Sequence, residues 1–238
     1  MDTSPSNLIF NLYKTLFAYF GEQHWWPSKS GTQWEIIAGA ILTQNCAWRN
    51  VEQALENLAE RNVNSPQQLL ALPLATLRAA IRPAGFFMQK SICLQNVARF
   101  FVVHTAAFTF PCSSADELRT RRKQLLDIKG VGKETADSIL LYAFSQPIFV
   151  IDSYTRRVAE RHLNIPDAAT LPYDTLQTAF MKSLPKDTQI YNEYHALIVH
   201  LCKDFCQKQR CLCAPLLGQR VKVESPPQAS RLRRDSVT

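Results

Sequence analysis

The chain has 238 residues, of which 46% are hydrophobic and 20% are charged, and its formal net charge is +7. These proportions are ordinary for a soluble globular protein, and no apolar run reaches the roughly 18 residues that a membrane-spanning helix needs. The N-terminal segment lacks the basic and apolar regions of a signal peptide, so we expect a cytoplasmic protein, and its positive charge suits a polyanionic partner without establishing one.

The sequence predicts an almost entirely helical protein. Apolar residues recur at helical spacing in segment after segment, and the segment 34–43 is apolar enough to be a buried central helix. The β-branched run 147–151 is short and begins at Pro147, so we interpret it as a connector. The Pro-Pro pair and the Ser/Arg-rich composition predict that 218–238 is a disordered tail. The predicted helices are 7–19, 34–43, 51–59, a helix capped by Ser65, 74–81, 89–103 and 115–126.

The segment 125–140 contains a Gly-x-Gly turn between two predicted helices. The first helix is expected to end at Ile128 and the second to begin near Lys133. Glycine tolerates positive φ and lets backbone N–H groups approach a ligand, and a helix N-terminus favours an anion such as a phosphate. An ordinary corner between helices has the same turn. The candidate phosphate-binding residues are Gly130, Val131, Gly132, Lys133 and Thr135.

The pattern Leu-x-x-Ile-x-Gly-Val-Gly-x-x-Thr-Ala, followed by the segment 149–158, resembles the helix-hairpin-helix DNA glycosylases of the endonuclease III superfamily. The resemblance covers about residues 7–205. It implies an all-α fold of two helical domains with a DNA-binding cleft between them, and a monomer in the cytoplasm (the bacterial nucleoid) that binds double-stranded DNA containing a damaged base. The implied domains are 28–144, which carries the hairpin, and 1–27 plus 145–217.

Asp152 follows the hairpin at the position where this family has its catalytic carboxylate. Breaking an N-glycosidic bond builds positive charge on the deoxyribose, and a fixed carboxylate stabilises that charge and can orient the attacking water. An aspartate that begins a helix is often only an N-cap, and hairpins of this kind also occur in DNA-binding proteins without catalysis. The resemblance nevertheless predicts that Asp152 is catalytic.

Family members that also cut the strand use a lysine two residues after the second hairpin glycine, where this chain has Glu134. A carboxylate cannot form the Schiff base of that reaction. The neighbouring Lys133 is rotated by about 100° on a helix and is expected to meet a phosphate. The sequence therefore predicts a monofunctional enzyme without AP-lyase activity. The alternative is an endonuclease III-like glycosylase and lyase acting on oxidised pyrimidines.

Trp25, Trp26 and Trp48 are candidates for a pocket that holds an extruded base, although each could equally be a packing residue. A Trp-Trp-Pro segment with Leu-Thr-Gln-Asn resembles the 3-methyladenine glycosylase branch, in which aromatic rings hold an electron-poor alkylated base. By the same resemblance, Gln44 or Asn45 fills the gap left in the duplex. Lys203 and Glu134 are further candidates for the pocket.

Four of the seven cysteines lie in the segment 202–213, and the odd total argues against a disulfide framework. Endonuclease III relatives often carry a [4Fe–4S] cluster on Cys-x6-Cys-x2-Cys-x5-Cys. Counted from Cys206, that spacing reaches Cys213 and then Leu216 and Lys222. We therefore interpret Cys206, Cys211 and Cys213 as a degenerate remnant that binds no metal, and expect no required cofactor. Iron or zinc in another geometry remains the alternative.

Overall fold

The computed structural model describes residues 5–217, and this part of the chain is all-helical, as predicted. Its strand-like pairing is limited, within that range, to an isolated antiparallel bridge between Cys206 and Cys211. The predicted tail 218–238 lies outside the described residues. The helices are α1 Pro5–Phe20, α2 Gln33–Leu42, α3 Trp48–Ala59, α4 Pro66–Ala71, α5 Leu74–Ala80, a 3-10 turn Arg82–Ala84, α6 Phe87–Thr109, α7 Ala115–Leu126, α8 Lys133–Ser138, a π-helical segment Ile139–Ala143, α9 Ser153–His162, α10 Tyr173–Ser183, α11 Thr188–Asp204 and α12 Ala214–Leu217.

Side-chain caps fix where several helices begin. Thr32, Ser65, Ser114 and Asp152 each precede a helix in extended backbone and accept a hydrogen bond from the N–H three residues on. Such a cap satisfies one of the N–H groups that a helix start leaves without a partner. The cap predicted at Ser65 is confirmed.

Two helix ends differ from the predictions. α6 continues to Thr109 rather than ending near 103, because Phe101 and Phe108 keep the same buried face along the helix. α7 ends at Leu126, in agreement with the helix predicted at 115–126 but two residues before the end at Ile128 that the hairpin motif led us to expect. A final turn of this kind is often irregular and has no distinct sequence signal.

The helix α2 is buried over most of its length, as predicted, and it forms the centre of the hydrophobic core. It packs against α3, α6, α8 and the π-helical segment. A second set of contacts joins α1 to α10 and α11, and α11 to α9. The predicted division at residues 28–144 follows this grouping of helices but stays a prediction. No helix in the range 5–217 is long and apolar enough to cross a membrane.

Candidate active site

The hairpin is the turn between α7 and α8, and its two glycines have different roles. Gly130 has a φ of +100°, and a Cβ added there would lie 2.9 Å from the Cβ and Sγ atoms of Cys93. Gly132 has a φ of −93°, and an added Cβ would meet no atom within 4 Å. The turn therefore requires glycine at Gly130, whereas Gly132 presents an uncovered backbone to the outside.

A buried ion network holds the hairpin in place. Asp137 in α8 is fully buried and accepts two hydrogen bonds from Arg122 in α7, at 2.7 and 3.0 Å. Gln177 in α10 donates a third, at 2.7 Å. Arg122 also reaches Asp174, which pairs with the ammonium of Lys133 at 2.5 Å. The network links both hairpin helices to α10.

The remaining hairpin residues predicted to bind phosphate are partly engaged within the protein. Val131 is buried, and its N–H donates to the carbonyl of Ile128 at 3.0 Å. The hydroxyl of Thr135 accepts a hydrogen bond from the Gln44 amide at 2.9 Å. The same amide lies 3.2 Å from the carbonyl of Gly130. Gln44 therefore ties the end of α2 to the hairpin.

A pocket of about 140 Å³ opens beside the hairpin, between residues of both predicted domains. Its walls are mainly aromatic, and its polar groups converge from four separate parts of the chain. All the predicted pocket residues and the predicted catalytic residue line it. The lining includes Trp25, Trp26, Trp48, Glu134, Thr135, Ser138, Tyr142, Asp152, Tyr154, His195 and Lys203.

Asp152 is the N-cap of α9, and its carboxylate has neighbours on two sides. Oδ1 accepts the N–H of Thr155 at 2.7 Å, and Oδ2 lies 3.6 Å from Nε2 of His195, which is beyond hydrogen-bond distance. Burial by itself would raise the pKa of Asp152, but His195 and the Thr155 N–H lower it below its usual value. The carboxylate is therefore ionised in the pocket.

Tyr142 and His195 are site residues that the sequence analysis missed. The Tyr142 hydroxyl lies 2.5 Å from Nδ1 of His195, and both side chains are buried and line the same pocket as Asp152. His195 occupies the middle of α11, and Tyr142 belongs to the π-helical segment. A π-helical turn rotates side chains out of the α-helical register, and such turns are frequent at functional sites.

Glu134 sits at the rim of the pocket, where its side chain stays accessible to solvent. Burial of the carboxyl in the pocket wall and then the nearby Asp152 raise its pKa to about 7, although His195 and Arg156 act in the opposite direction. Two carboxyl groups in one pocket thus differ in protonation near neutral pH. Separated pKa values of this kind are common at catalytic sites and also occur in structural networks.

The three tryptophans form one cluster. The ring centroids lie 5.5 Å apart for Trp25 and Trp26, 5.8 Å for Trp25 and Trp48, and 5.1 Å for Trp26 and Trp48. Gly39 in α2 makes room for this cluster, because a Cβ there would lie 2.7 Å from Cζ2 of Trp26. The indole N–H groups of Trp25 and Trp26 are buried and have no hydrogen-bond partner among residues 5–217.

A second, more open cleft is lined by residues that follow α2, including Gln44 and Asn45, and by Gly130 of the hairpin. Asn45 is exposed there with a φ of +49°, and Phe86 is 65% exposed with a φ of +44°. Lys90 is buried beneath them and donates to the carbonyls of Leu42 and Ala84, at 2.7 and 2.8 Å. One buried ammonium thus fixes both turns that carry these exposed side chains. The sequence analysis did not name Phe86 as a candidate site residue, although its exposure and its positive φ single it out in the structure.

The C-terminal cysteines converge with a histidine that the sequence analysis did not consider. Ligand atoms of His162, Cys206, Cys211 and Cys213 all lie within 4.8 Å of one another. This set could hold a metal ion. A [4Fe–4S] cluster has an iron atom at each ligand position and so spreads its four ligands further apart than one ion does. The set of His162, Cys206, Cys211 and Cys213 has three thiols, and its ligand atoms lie too close together for such a cluster.

Comparison with known families and proteins is consistent with this geometry. A family model described as "HhH-GPD superfamily base excision DNA repair protein" matches residues 38–186. A Methanocaldococcus jannaschii protein with the provisional name DNA repair glycosylase MJ1434 is 43% identical over 213 residues, which are 90% of this chain and 94% of that protein. The endonuclease III of Bacillus subtilis is 24% identical, over 77% of this chain and 78% of its own length.

Two solved structures illustrate the likeness of fold. The H. pylori 3-methyladenine DNA glycosylase MagIII, bound to 1,N6-ethenoadenine, has a TM-score of 0.66 and 26% identity, and the match covers 83% of this chain and 96% of that one. A non-covalent endonuclease III–DNA complex has a TM-score of 0.73 and 21% identity, over 89% of this chain and 93% of that one.

Proposed function

This chain belongs to the HhH-GPD superfamily of base excision DNA repair proteins, and we propose that it is a monofunctional DNA glycosylase that removes alkylated purines of the 3-methyladenine type. The observation that carries the proposal is the pocket itself. It combines one ionised carboxylate, Asp152, with a wall of three tryptophans, and it has Glu134 in place of a lysine beside the hairpin.

The chemical step follows from the state of Asp152. As the bond between C1′ and the base nitrogen breaks, its electron pair leaves with the base and positive charge develops on the sugar. A carboxylate already ionised and held by the Thr155 N–H stabilises this charge without rearrangement. It can also orient the water that adds to C1′ and receive its proton. His195, backed by Tyr142, keeps the carboxylate charged and in position.

The tryptophan cluster supports an alkylated purine as the base. A purine alkylated on a ring nitrogen is cationic, so it gains from the negative faces of aromatic rings. It also leaves as a neutral base, and therefore needs little help from a general acid. The likeness to MagIII, which is 26% identical and has a bound ethenoadenine, agrees with this class of substrate.

The hairpin and the second cleft provide a means of holding the DNA. The uncovered backbone at Gly132 and the start of α8 suit a phosphate, with Lys133 and Gly130 beside them. Asn45 and Phe86 are exposed and line one cleft, which supports a role for them in filling the gap that a flipped base leaves, because an exposed apolar side chain can enter a base step as a wedge. Gln44 is bonded to the hairpin, so we assign the gap-filling role to Asn45.

The proposal that the enzyme lacks lyase activity depends on where the lysines near the pocket lie. Lys133 pairs with Asp174 outside the pocket lining, and the lining position next to it is Glu134. Lys203 does line the pocket, so it is the amine that a Schiff-base mechanism would have to use. The related endonuclease III enzymes include one trapped in a covalent intermediate with DNA, which makes the lyase alternative specific enough to test.

A panel of duplexes tests the proposal. The duplexes carry 3-methyladenine, 7-methylguanine, thymine glycol, uracil or mismatched thymine, and each reaction is scored for strand cleavage with and without alkali. We expect cleavage after alkali for the alkylated purines and intact strands without it. Preference for thymine glycol would contradict the substrate class. Borohydride trapping that disappears in Lys133→Ala or Lys203→Ala would contradict the monofunctional mechanism.

A further inference from the structure

We propose that His162, Cys206, Cys211 and Cys213 form a tetrahedral site for one Zn²⁺ ion. The proposal concerns a site separate from the pocket and does not depend on the reaction proposed there. Zinc bound by three cysteines and one histidine is a common structural site in proteins. The four residues come from the end of α9 and from the segment that follows α11.

The distances between the ligand atoms fit a single ion. Nε2 of His162 lies 3.3 Å from Sγ of Cys206 and 3.8 Å from Sγ of Cys211. Bonds of about 2.3 Å to sulfur and about 2.0 Å to nitrogen, directed to the corners of a tetrahedron, separate the ligand atoms by roughly 3.5 to 3.8 Å. The set therefore needs little adjustment to enclose one ion, whereas a four-iron cluster would have to push all four ligands apart.

Backbone hydrogen bonds hold the segment around the thiols. Cys206 and Cys211 form an antiparallel bridge, and the N–H of Leu212 donates to the carbonyl of Phe205 at 2.7 Å. Cys206 and Cys213 are fully buried, and Cys211 and His162 are half-buried. The bridge brings both ends of the segment together, so the thiols face a common point.

Two arginines of α9 bind the backbone of the segment that carries the thiols. Arg157 donates to the carbonyl of Cys206 at 2.9 Å, and Arg161 donates to the carbonyls of Gln207 and Lys208, both at 2.8 Å. One guanidinium nitrogen of Arg161 lies 3.6 Å from Sγ of Cys206. Three thiolates and Zn²⁺ carry a net negative charge, which this guanidinium offsets. Binding releases the thiol protons to solvent, as for other thiolate sites.

Cys202 is the main competitor of His162 for a place in the site. It is buried beside Cys206, but its Sγ lies 3.8 Å from the carbonyl of Tyr154 and is outside the set of four mutually close atoms. A site of four cysteines would include Cys202 and leave out His162. The two sets are therefore distinguished by one variant each.

The experiment measures zinc and iron in the full-length protein, purified under reducing conditions, and in variants. We expect one Zn²⁺ per chain and background iron in the wild type. His162→Ala and Cys211→Ser should lose the zinc. Cys202→Ser should keep it, and so should the matched control Cys112→Ser, which changes another half-buried cysteine. Circular dichroism follows folding in each variant.

The wild-type protein also gives an answer without any variant. Replacing zinc with Co²⁺ should produce the intense visible bands of a tetrahedral thiolate site, and removing the metal with EDTA should lower the unfolding temperature by several degrees. Iron with acid-labile sulfide in the wild type would overturn the proposal. So would folded protein that takes up neither Zn²⁺ nor Co²⁺, or zinc that survives His162→Ala and is lost in Cys202→Ser.

Discussion

At the scale of single residues, the two hairpin glycines separate folding from binding. Gly130→Ala places a side chain on left-handed backbone and against Cys93, and we expect it to cost ~1–3 kcal/mol of stability.

Gly132→Ala meets no protein atom and should change stability by less than about 0.5 kcal/mol. It should instead weaken DNA binding, because its methyl group covers the backbone offered to the phosphate. Urea unfolding and duplex affinity measure the two effects, and equal loss of stability in both variants would contradict this assignment.

The second residue-scale prediction uses Glu134, whose pKa is raised to about 7 by burial and by Asp152. Between its ordinary pKa and about 7, the folded protein holds a proton that the unfolded chain has released. Raising the pH through this window therefore weakens the folded state. Gln at this position cannot ionise, so the unfolding temperature of Glu134→Gln should rise relative to wild type as the pH increases.

Thermal unfolding at about pH 5 and about pH 8 measures this difference. Solvent at the pocket rim screens the charges, so we expect a shift of a few degrees. Glu60→Gln, on an exposed surface, removes the same charge and serves as the control. A difference between Glu134→Gln and wild type that is the same at both pH values would refute the raised pKa.

At the scale of elements, the ion network fixes the hairpin helices to α10. Asp137→Ala removes a fully buried carboxylate and leaves Arg122 with Asp174 alone, so we expect a loss of about 3 kcal/mol. The control is Asp127→Ala, because the Lys123–Asp127 pair on the same hairpin is exposed and should contribute less than about 0.5 kcal/mol. Urea unfolding compares the two variants. Similar losses would mean that burial does not set the strength of these pairs.

Element boundaries also show what the sequence can reveal. The helical periodicity, the cap at Ser65 and the turn at Gly130 were predictable because each has a local signal. The end of α6 was not, because the residues between Phe101 and Phe108 are weakly patterned and only packing extends the helix to Thr109. The π-helical segment has no separate sequence signal either, although it carries Tyr142 into the pocket.

At the scale of the whole molecule, the pocket is assembled from distant parts of the chain. Asp152 was predicted from a motif, and Trp25, Trp26 and Trp48 line the same pocket in the structure. His195 and Tyr142 were missed, since 53 residues separate them and neither belongs to a motif. His162 was missed as the fourth member of the cysteine cluster for the same reason, because it lies 44 residues before Cys206. Long-range convergence of this kind requires the fold.

The measurement that tests the central claim most directly is the single-turnover rate of base release by Asp152→Asn on a 3-methyladenine duplex. Asparagine keeps an oxygen that can cap α9 through the Thr155 N–H, so the fold and the affinity for the duplex should be retained. The carboxylate charge is lost, and we expect the rate to fall at least about a hundred-fold. Normal binding together with a wild-type rate of base release would contradict the account.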